Sequence, residues 1–440
     1  MNAKSYVYIF FLLVTQLSFS QEILTLQQCV ETGKKNNLDF QIRQLEILSA
    51  ETTHRSPVME YLPKVDFAGT HSYSIGSTID PATNTRVSSN IQSDNFAINA
   101  SMNLLDFNVF TAARRNKIAV LKSRADKEAT AAEYSLSILE NYFSALYTQE
   151  LLKIRLDQFE NAKFNMKRIE KEVEIGSKPK SDLYDMQVSY ALEENGITET
   201  RQTLYNQKLI LIQLMNVQGM MPDGIVLENP GESGSMAPIE STAYENALKN
   251  YAKIQSVLFA EEIAKKQVTI EKNGFLPILS AYYSYSSFYY LPLNQPGDQR
   301  VNPFWTQLND NKNHYIGFQL NVPVFNGFRT NRNVQLAKIE HQKKTVETEQ
   351  EKIKLRQTIE QETAKQQQNT EMALKLEDTR NYTEKSFTTT QSKFTGGLVD
   401  AIVFTAAKNQ LLTAEYNLLK AKYTAQYLTL KLNFLQFNTF

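Results

Sequence analysis

Asp182 and Asp185 stand one helical turn apart, and so on one face, just after the break Gly176-Ser177-Lys178-Pro179. Carboxylates at that place complement the positive end of a helix. Glu174, Lys178 and Lys180 beside them read as solvated charge. A second break, Gly396-Gly397-Leu398, is followed by Asp400 alone. The other reactive groups are sparse. The four histidines (His54, His71, His314, His341) are scattered singly, and Cys29 is the only cysteine. A metal site needs three or four convergent ligands, so no metal is expected, nor any disulfide framework. An envelope enzyme would need converging acid, base or nucleophile. No GxSxG, HExxH or phosphate loop occurs, so neither catalytic residues nor a cofactor are expected. What this chain does must come from the elements that hold those aspartates.

The chain has 440 residues, and its formal net charge is zero. Nothing predicts an affinity for nucleic acid. Gly and Pro are scarce, which favours long helices. Residues 1–20 read as a secretory signal: Lys4, then the apolar run Val7–Leu17, then Ser18-Phe19-Ser20. Cys29 is not beside that cut, so no lipid attachment is expected, and no later run is apolar enough for a spanning helix.

Hydrophobic periodicity reveals a duplication. In Tyr315–Ala337, Ile316, Phe318, Leu320, Val322 and Val324 alternate with polar residues; a long charged helical stretch follows Asn326-Gly327. Asn95–Ala119 repeats the plan, with Phe96, Ile98, Ala100, Met102 and Leu104 alternating, and Phe107-Asn108 falling where Phe325-Asn326 falls. Repeat 1 is expected over 21–218, with strands near 64–76 and 94–106 and a helical hairpin over 108–218. A linker is expected over 219–238. Repeat 2 is expected over 239–440, with strands near 278–290 and 314–325 and a hairpin over 328–437. Each first strand follows a Leu-Pro (Leu62-Pro63, Leu276-Pro277) that ends a medium helix, Leu38–Glu60 or Ala252–Asn273. The long helices carry coiled-coil spacing: Ala132, Leu136, Leu139, Phe143 and Leu146 in the first hairpin, Leu411 to Leu435 in the last helix.

The four strands, about ten residues each with one apolar face, suit a tilted transmembrane β-strand. Tyrosines and phenylalanines crowd their ends, as at a membrane interface. Four strands cannot close a barrel, for which about eight is the minimum. Lipid tolerates no open edge, so the barrel must be shared between subunits.

The duplication, the paired Leu-Pro, the junctions LLDFN and VPVFNG and the glycine-bearing turns together resemble the TolC-like outer-membrane efflux proteins, over essentially all of 21–440. The resemblance implies a mainly α fold with a transmembrane β-barrel portion, the two repeats of helix–strand–strand–long helix–helix trimerising into a 12-stranded barrel and a 12-helix periplasmic α-barrel. It implies an outer-membrane location, a homotrimer, and a passive exit duct for small molecules or secreted proteins. A periplasmic adaptor and an inner-membrane transporter would supply the energy, and outer-membrane lipid would surround the barrel. It makes Asp182, Asp185 and Asp400 candidates for a periplasmic gate. Gly176, Ser177, Lys178, Gly396, Gly397 and Leu398 become candidates for the adaptor contact. In that family the acidic pair sits in the second hairpin, whereas here it sits in the first, with Ile402 and Thr405 near the equivalent places. A structural or adaptor coiled-coil protein of the envelope would explain the helices and the export but not the four amphipathic strands.

Overall fold

The computed structural model describes residues 22–54, 57–79, 84–88, 90–231, 242–293 and 301–438. The expected signal, residues 1–20, and linker residues 232–238 lie outside them. The described backbone divides into two compact units. A sheet unit takes Ile47–Ser123 and Leu258–Glu347, and a helical unit takes the rest.

In the sheet unit, β2 (Lys64–Ser74), β5 (Ile91–Leu105), β7 (Ile278–Pro292) and β8 (Asn313–Asn321) form one sheet in that order, every neighbour antiparallel. Two three-residue strands, β3 (Ser77–Ile79) and β4 (Arg86–Ser88), pair as a small ribbon between the two expected strands of repeat 1. Ahead of β2, the expected single helix over Leu38–Glu60 is two, α2 (Leu38–Thr53) and α3 (Pro57–Glu60). Pro57 is the reason: it brings no N–H to an interior turn and restricts the residue before it. The corresponding helix of repeat 2, α7 (Ala252–Asn273), has no proline and is continuous.

The two strand–helix junctions differ more than their sequences. After β5, α4 (Phe107–Glu174) starts almost at once, with the Asp106 carboxylate accepting from Asn108 N at 2.8 Å. After β8 the strand stops at Asn321, because Pro323 has no donor for the ladder; Val322 and Val324, expected in the strand, lie past its end. Gly327 and Phe328 then both take positive φ, 62° and 60°, and α9 (Arg329–Thr395) begins. In the alignment of Phe107 with Phe325, the second helix starts four residues late.

The helical unit holds most of both hairpins, completed by α5 (Lys180–Met215) and α10 (Ala401–Phe437). The expected stripes are its core: Ala132, Leu139, Phe143 and Leu146 are buried on α4, and Leu411, Ala414, Leu428 and Leu432 on α10. This interior also holds a charged pair. Lys408 of α10 meets Glu193 of α5 at 3.1 Å, both side chains nearly buried.

The stretch expected as linker is partly ordered. A 3-10 turn, Pro222–Gly224, leads into β6 (Ile225–Leu227), which pairs in parallel with β1 (Glu22–Leu24). Gln149 binds this ribbon through both amide atoms, accepting from Leu227 N at 3.0 Å and donating to Leu227 O at 2.9 Å. The Tyr142 hydroxyl lies within 2.8 Å of Leu24 O and 2.6 Å of Glu228 O, so its one proton is shared between two carbonyls. α1 (Leu26–Asn36), opened by a capping box at Thr25 and Gln28, seats Cys29 in the same core, where burial pushes its thiol up to about 12. α6 (Ala243–Asn250) packs in a second cluster with Ile254, Leu355, Ile359 and Leu435.

Candidate functional site

Two places can carry a function: the sheet, and the turns that end the long helices. The register of the sheet fixes what each face offers. Val65 pairs with Ala100, Ala100 with Tyr283, and Tyr283 with Ile316. Phe67, Ile98 and Tyr285 form the next row on the same face, and Met102, Ala281 and Phe318 the row on the other side. Phe67, Ile98, Ile316 and Phe318 are all exposed. The opposite face is polar and linked across strands. Asn99 donates to Asp66 at 3.1 Å, Ser284 to Asn99 at 2.8 Å, and Ser280 to Asn103 at 2.9 Å, while the Tyr282 and Tyr315 hydroxyls meet at 3.2 Å. Such a sheet is greasy on one side and hydrogen-bonded on the other, with β2 and β8 as its edges. It is suited to separate lipid from water once its edges are paired. On the apolar face, His71 bonds Asp94 where the row turns polar, with Tyr73 edge-on to the imidazole. No helix among the described residues is long and apolar enough to cross a membrane.

The tip turns are built alike. After α4, Gly176 takes φ 77°, Ser177 N donates to Glu172 O at 2.7 Å, and Pro179 caps the next helix. After α9, Gly397 takes φ 74°, Leu398 N donates to Lys393 O at 2.8 Å, and Asp400 caps the next helix. This six-to-one bond around a left-handed residue is a Schellman closure. The equivalent of Gly176 is therefore Gly397, one residue beyond the register that gives Ile402 and Thr405. Asp182 corresponds to Val403 and Asp185 to Ala406. Asp400 corresponds to Pro179, and its carboxylate is engaged, accepting from Val403 N at 2.9 Å.

Nor is the charge beside Asp182 solvated, as its neighbours suggest in sequence. Lys178 reaches Asp182 at 3.5 Å, and the two side chains are only 12% and 9% exposed. The Lys178 ammonium also lies 4.8 Å from the Phe394 ring centroid, and the Arg168 guanidinium 5.1 Å from it. Arg168 donates to Thr395 Oγ1 at 3.0 Å. Phe394 is 1% exposed and stacks on Phe404 at 4.5 Å, over Ile169, Met186 and Ala401. One aromatic ring of the second hairpin is thus held by two cations of the first. Asp185 is half-buried and joins no ion pair among the described residues. Gly176, Ser177, Gly396, Gly397 and Leu398 are exposed, and Lys178 is turned inward to its partners. The latch on Phe394 is invisible in sequence, because its members lie more than 200 residues apart.

Among the described residues no group of three or more His, Cys, Asp or Glu could hold a metal. The family model described as outer membrane efflux protein matches this chain twice, over residues 27–217 and 243–434. The two matches are nearly equal in length and correspond to the two repeats. The chain is 23% identical over 333 residues to the alkaline protease secretion protein AprF of Pseudomonas aeruginosa. That alignment takes in 74% of this chain and 65% of the relative's own length. A solved structure of CusC superposes with a TM-score of 0.80 at 16% identity, over 93% of this chain and 91% of that one. The outer membrane protein VceC from Vibrio cholerae gives 0.76 at 16% identity, over 94% and 96%.

Proposed function

Since the chain belongs to the outer membrane efflux protein family, we propose that it is a passive exit duct of the outer membrane, its sheet forming part of the wall and its hairpins a periplasmic tunnel. The observation that carries this reading is the sheet: four antiparallel strands with one mainly apolar face and two edges, β2 and β8, that no described strand covers. In lipid those edges must be closed by copies of themselves, β8 of one subunit against β2 of the next, and three copies supply twelve strands. The polar ladder from Asp66 through Asn99 to Ser284 then faces the water-filled lumen.

A duct of this kind holds no energy source. An inner-membrane transporter would drive export through a periplasmic adaptor that meets the exposed tip turns at Gly176, Ser177, Gly396, Gly397 and Leu398. The cargo is a small molecule or a secreted protein; the AprF resemblance supports the second. Of the acidic candidates, Asp185 fits a lumen ring, since it is neither capped nor paired. Asp182 and Asp400 fit structural roles, one holding Lys178 and the other capping α10.

The test is the mass of the detergent-purified protein together with its conductance in planar bilayers. A conducting trimer supports the duct, and a monomer without current refutes it. Asp185→Ala should raise the conductance of a resting trimer. A rise with Asp182→Ala alone would instead assign the constriction to the Lys178–Asp182 pair.

A further inference from the structure

The short helix α8, Phe304–Asp310, has no task in the duct, yet it is held firmly. It lies along the part of β7 beyond the reach of β8, whose register ends at Ser286 with Asn313. There the Gln307 side chain replaces a strand. It accepts from Tyr290 N at 3.1 Å and donates to Tyr290 O at 3.1 Å and Asn302 O at 2.9 Å. Ser287 Oγ donates to Leu308 O at 2.7 Å, and Asn311 Nδ2 to Phe288 O at 2.8 Å. The exposed end of the β7 ladder is thereby covered, as an edge must be.

α8 stands on the apolar face. Phe304 meets Phe96 edge-on at 6.2 Å and Tyr289 at 5.0 Å. Beside it opens a groove of about 410 Å³, lined by Phe67, Ile98, Tyr285, Trp305, Leu308 and Lys312 among others. Its lining is mostly apolar, and it is continuous with the rows of Phe67–Ile98–Tyr285 that would face lipid. Trp305 is 78% exposed. Lys312 donates to the neutral Asn309 Oδ1 at 2.6 Å, and among the described residues no carboxylate lies within ion-pair distance of it. An apolar groove, an outward tryptophan and an uncompensated lysine on one lipid-side ledge match the layering of a membrane interface, where tryptophan sits at the headgroup level and lysine reaches the phosphates.

We infer that the groove under α8 seats an anionic phospholipid, one acyl chain along Phe67, Ile98 and Tyr285 and the phosphate on the Lys312 ammonium. The inference rests on the sheet being a membrane wall, and its test separates the two. Trp305 is the only tryptophan of the chain, so its emission reports the groove alone. The full-length trimer is reconstituted in phosphatidylcholine vesicles carrying bromine-labelled chains on either phosphatidylcholine or phosphatidic acid. The expected result is quenching about fivefold more effective per molecule for phosphatidic acid, the preference that one interfacial lysine confers. Lys312→Gln should bring the ratio near one and leave conductance unchanged. Equal quenching by both lipids overturns the site, and so does a preference that survives Lys312→Gln. An unquenched, water-exposed Trp305 in a conducting trimer overturns it while leaving the duct intact. Loss of both trimer and current would refute the duct itself.

Discussion

Truncating Phe394 should loosen the tip without touching the sheet. The ring is 1% exposed, stacked on Phe404 and flanked by Arg168 and Lys178. Phe394→Ala removes a buried ring, a change that costs about 3–5 kcal/mol. Phe394→Leu keeps most of the apolar volume and loses the stack and both cation contacts, for about 1–2 kcal/mol when such contacts are desolvated. The assay is amide hydrogen exchange of the reconstituted protein, read on peptides covering the end of α9 and the start of α5. Every 1.4 kcal/mol is tenfold in the opening equilibrium. The Ala variant should therefore exchange at least about a hundredfold faster there, and the Leu variant about tenfold faster, while sheet peptides stay unchanged. Tip exchange within about threefold of the parent in the Ala variant would refute the claim that this ring joins the hairpins.

Four further outcomes follow from the geometry. Gly397→Ala forces a side chain into a left-handed conformation and should cost about 1–2 kcal/mol, whereas Gly396→Ala should be nearly silent in the same thermal melts, since only Gly397 has positive φ. Lys408→Met leaves Glu193 buried and unpaired and should cost about 3–5 kcal/mol; adding Glu193→Leu should recover most of it in denaturant titrations. Burial raises the Glu415 carboxyl above its ordinary range, against the pull of Arg380, so the folded state binds that proton more tightly than the unfolded one. Its contribution is full below the unfolded carboxylate value and is lost as pH rises through the folded one. Acidification from about pH 7 to 5 should therefore stabilise the parent relative to Glu415→Gln, measured as the difference in unfolding midpoints. Phe318→Lys places a charge on the apolar face and should cost about 2–4 kcal/mol of insertion in refolding from urea into vesicles, while Gln319→Lys, one residue on and facing the other way, should insert normally.

The long elements were legible because their patterns are long. Ten residues of alternation fix the faces of β5 and β8, and Leu411 to Leu435 keep their spacing through four heptads of α10. β1 and β6 were not legible, since three residues carry no period and their pairing is set by Gln149 and Tyr142 far along the chain. α8 is hidden between the two expected strands of repeat 2, where its stability comes from Gln307 bonding the flank of β7 rather than from its own propensity. At the tip, glycine position alone suggested one register and the left-handed φ of Gly397 imposes another. The charge beside Asp182 reads as solvated because nothing near it in sequence announces Phe394.

The parallel ribbon of β1 and β6 also sets an order of events during export. Glu22–Leu24 are the first of the described residues, yet their partners are residues 225–227, just beyond the first repeat. The core they complete, with Cys29, Leu139, Leu146, Leu211 and Met215, draws almost wholly on the first half of the chain. Residues that emerge first must wait for some two hundred others before they find a partner, and a contact so distant in sequence forms slowly. Once Leu227 has crossed, however, the first half can close on itself. The topology thus lets repeat 1 complete this core, and the β2–β5 pairing, from residues that all precede repeat 2.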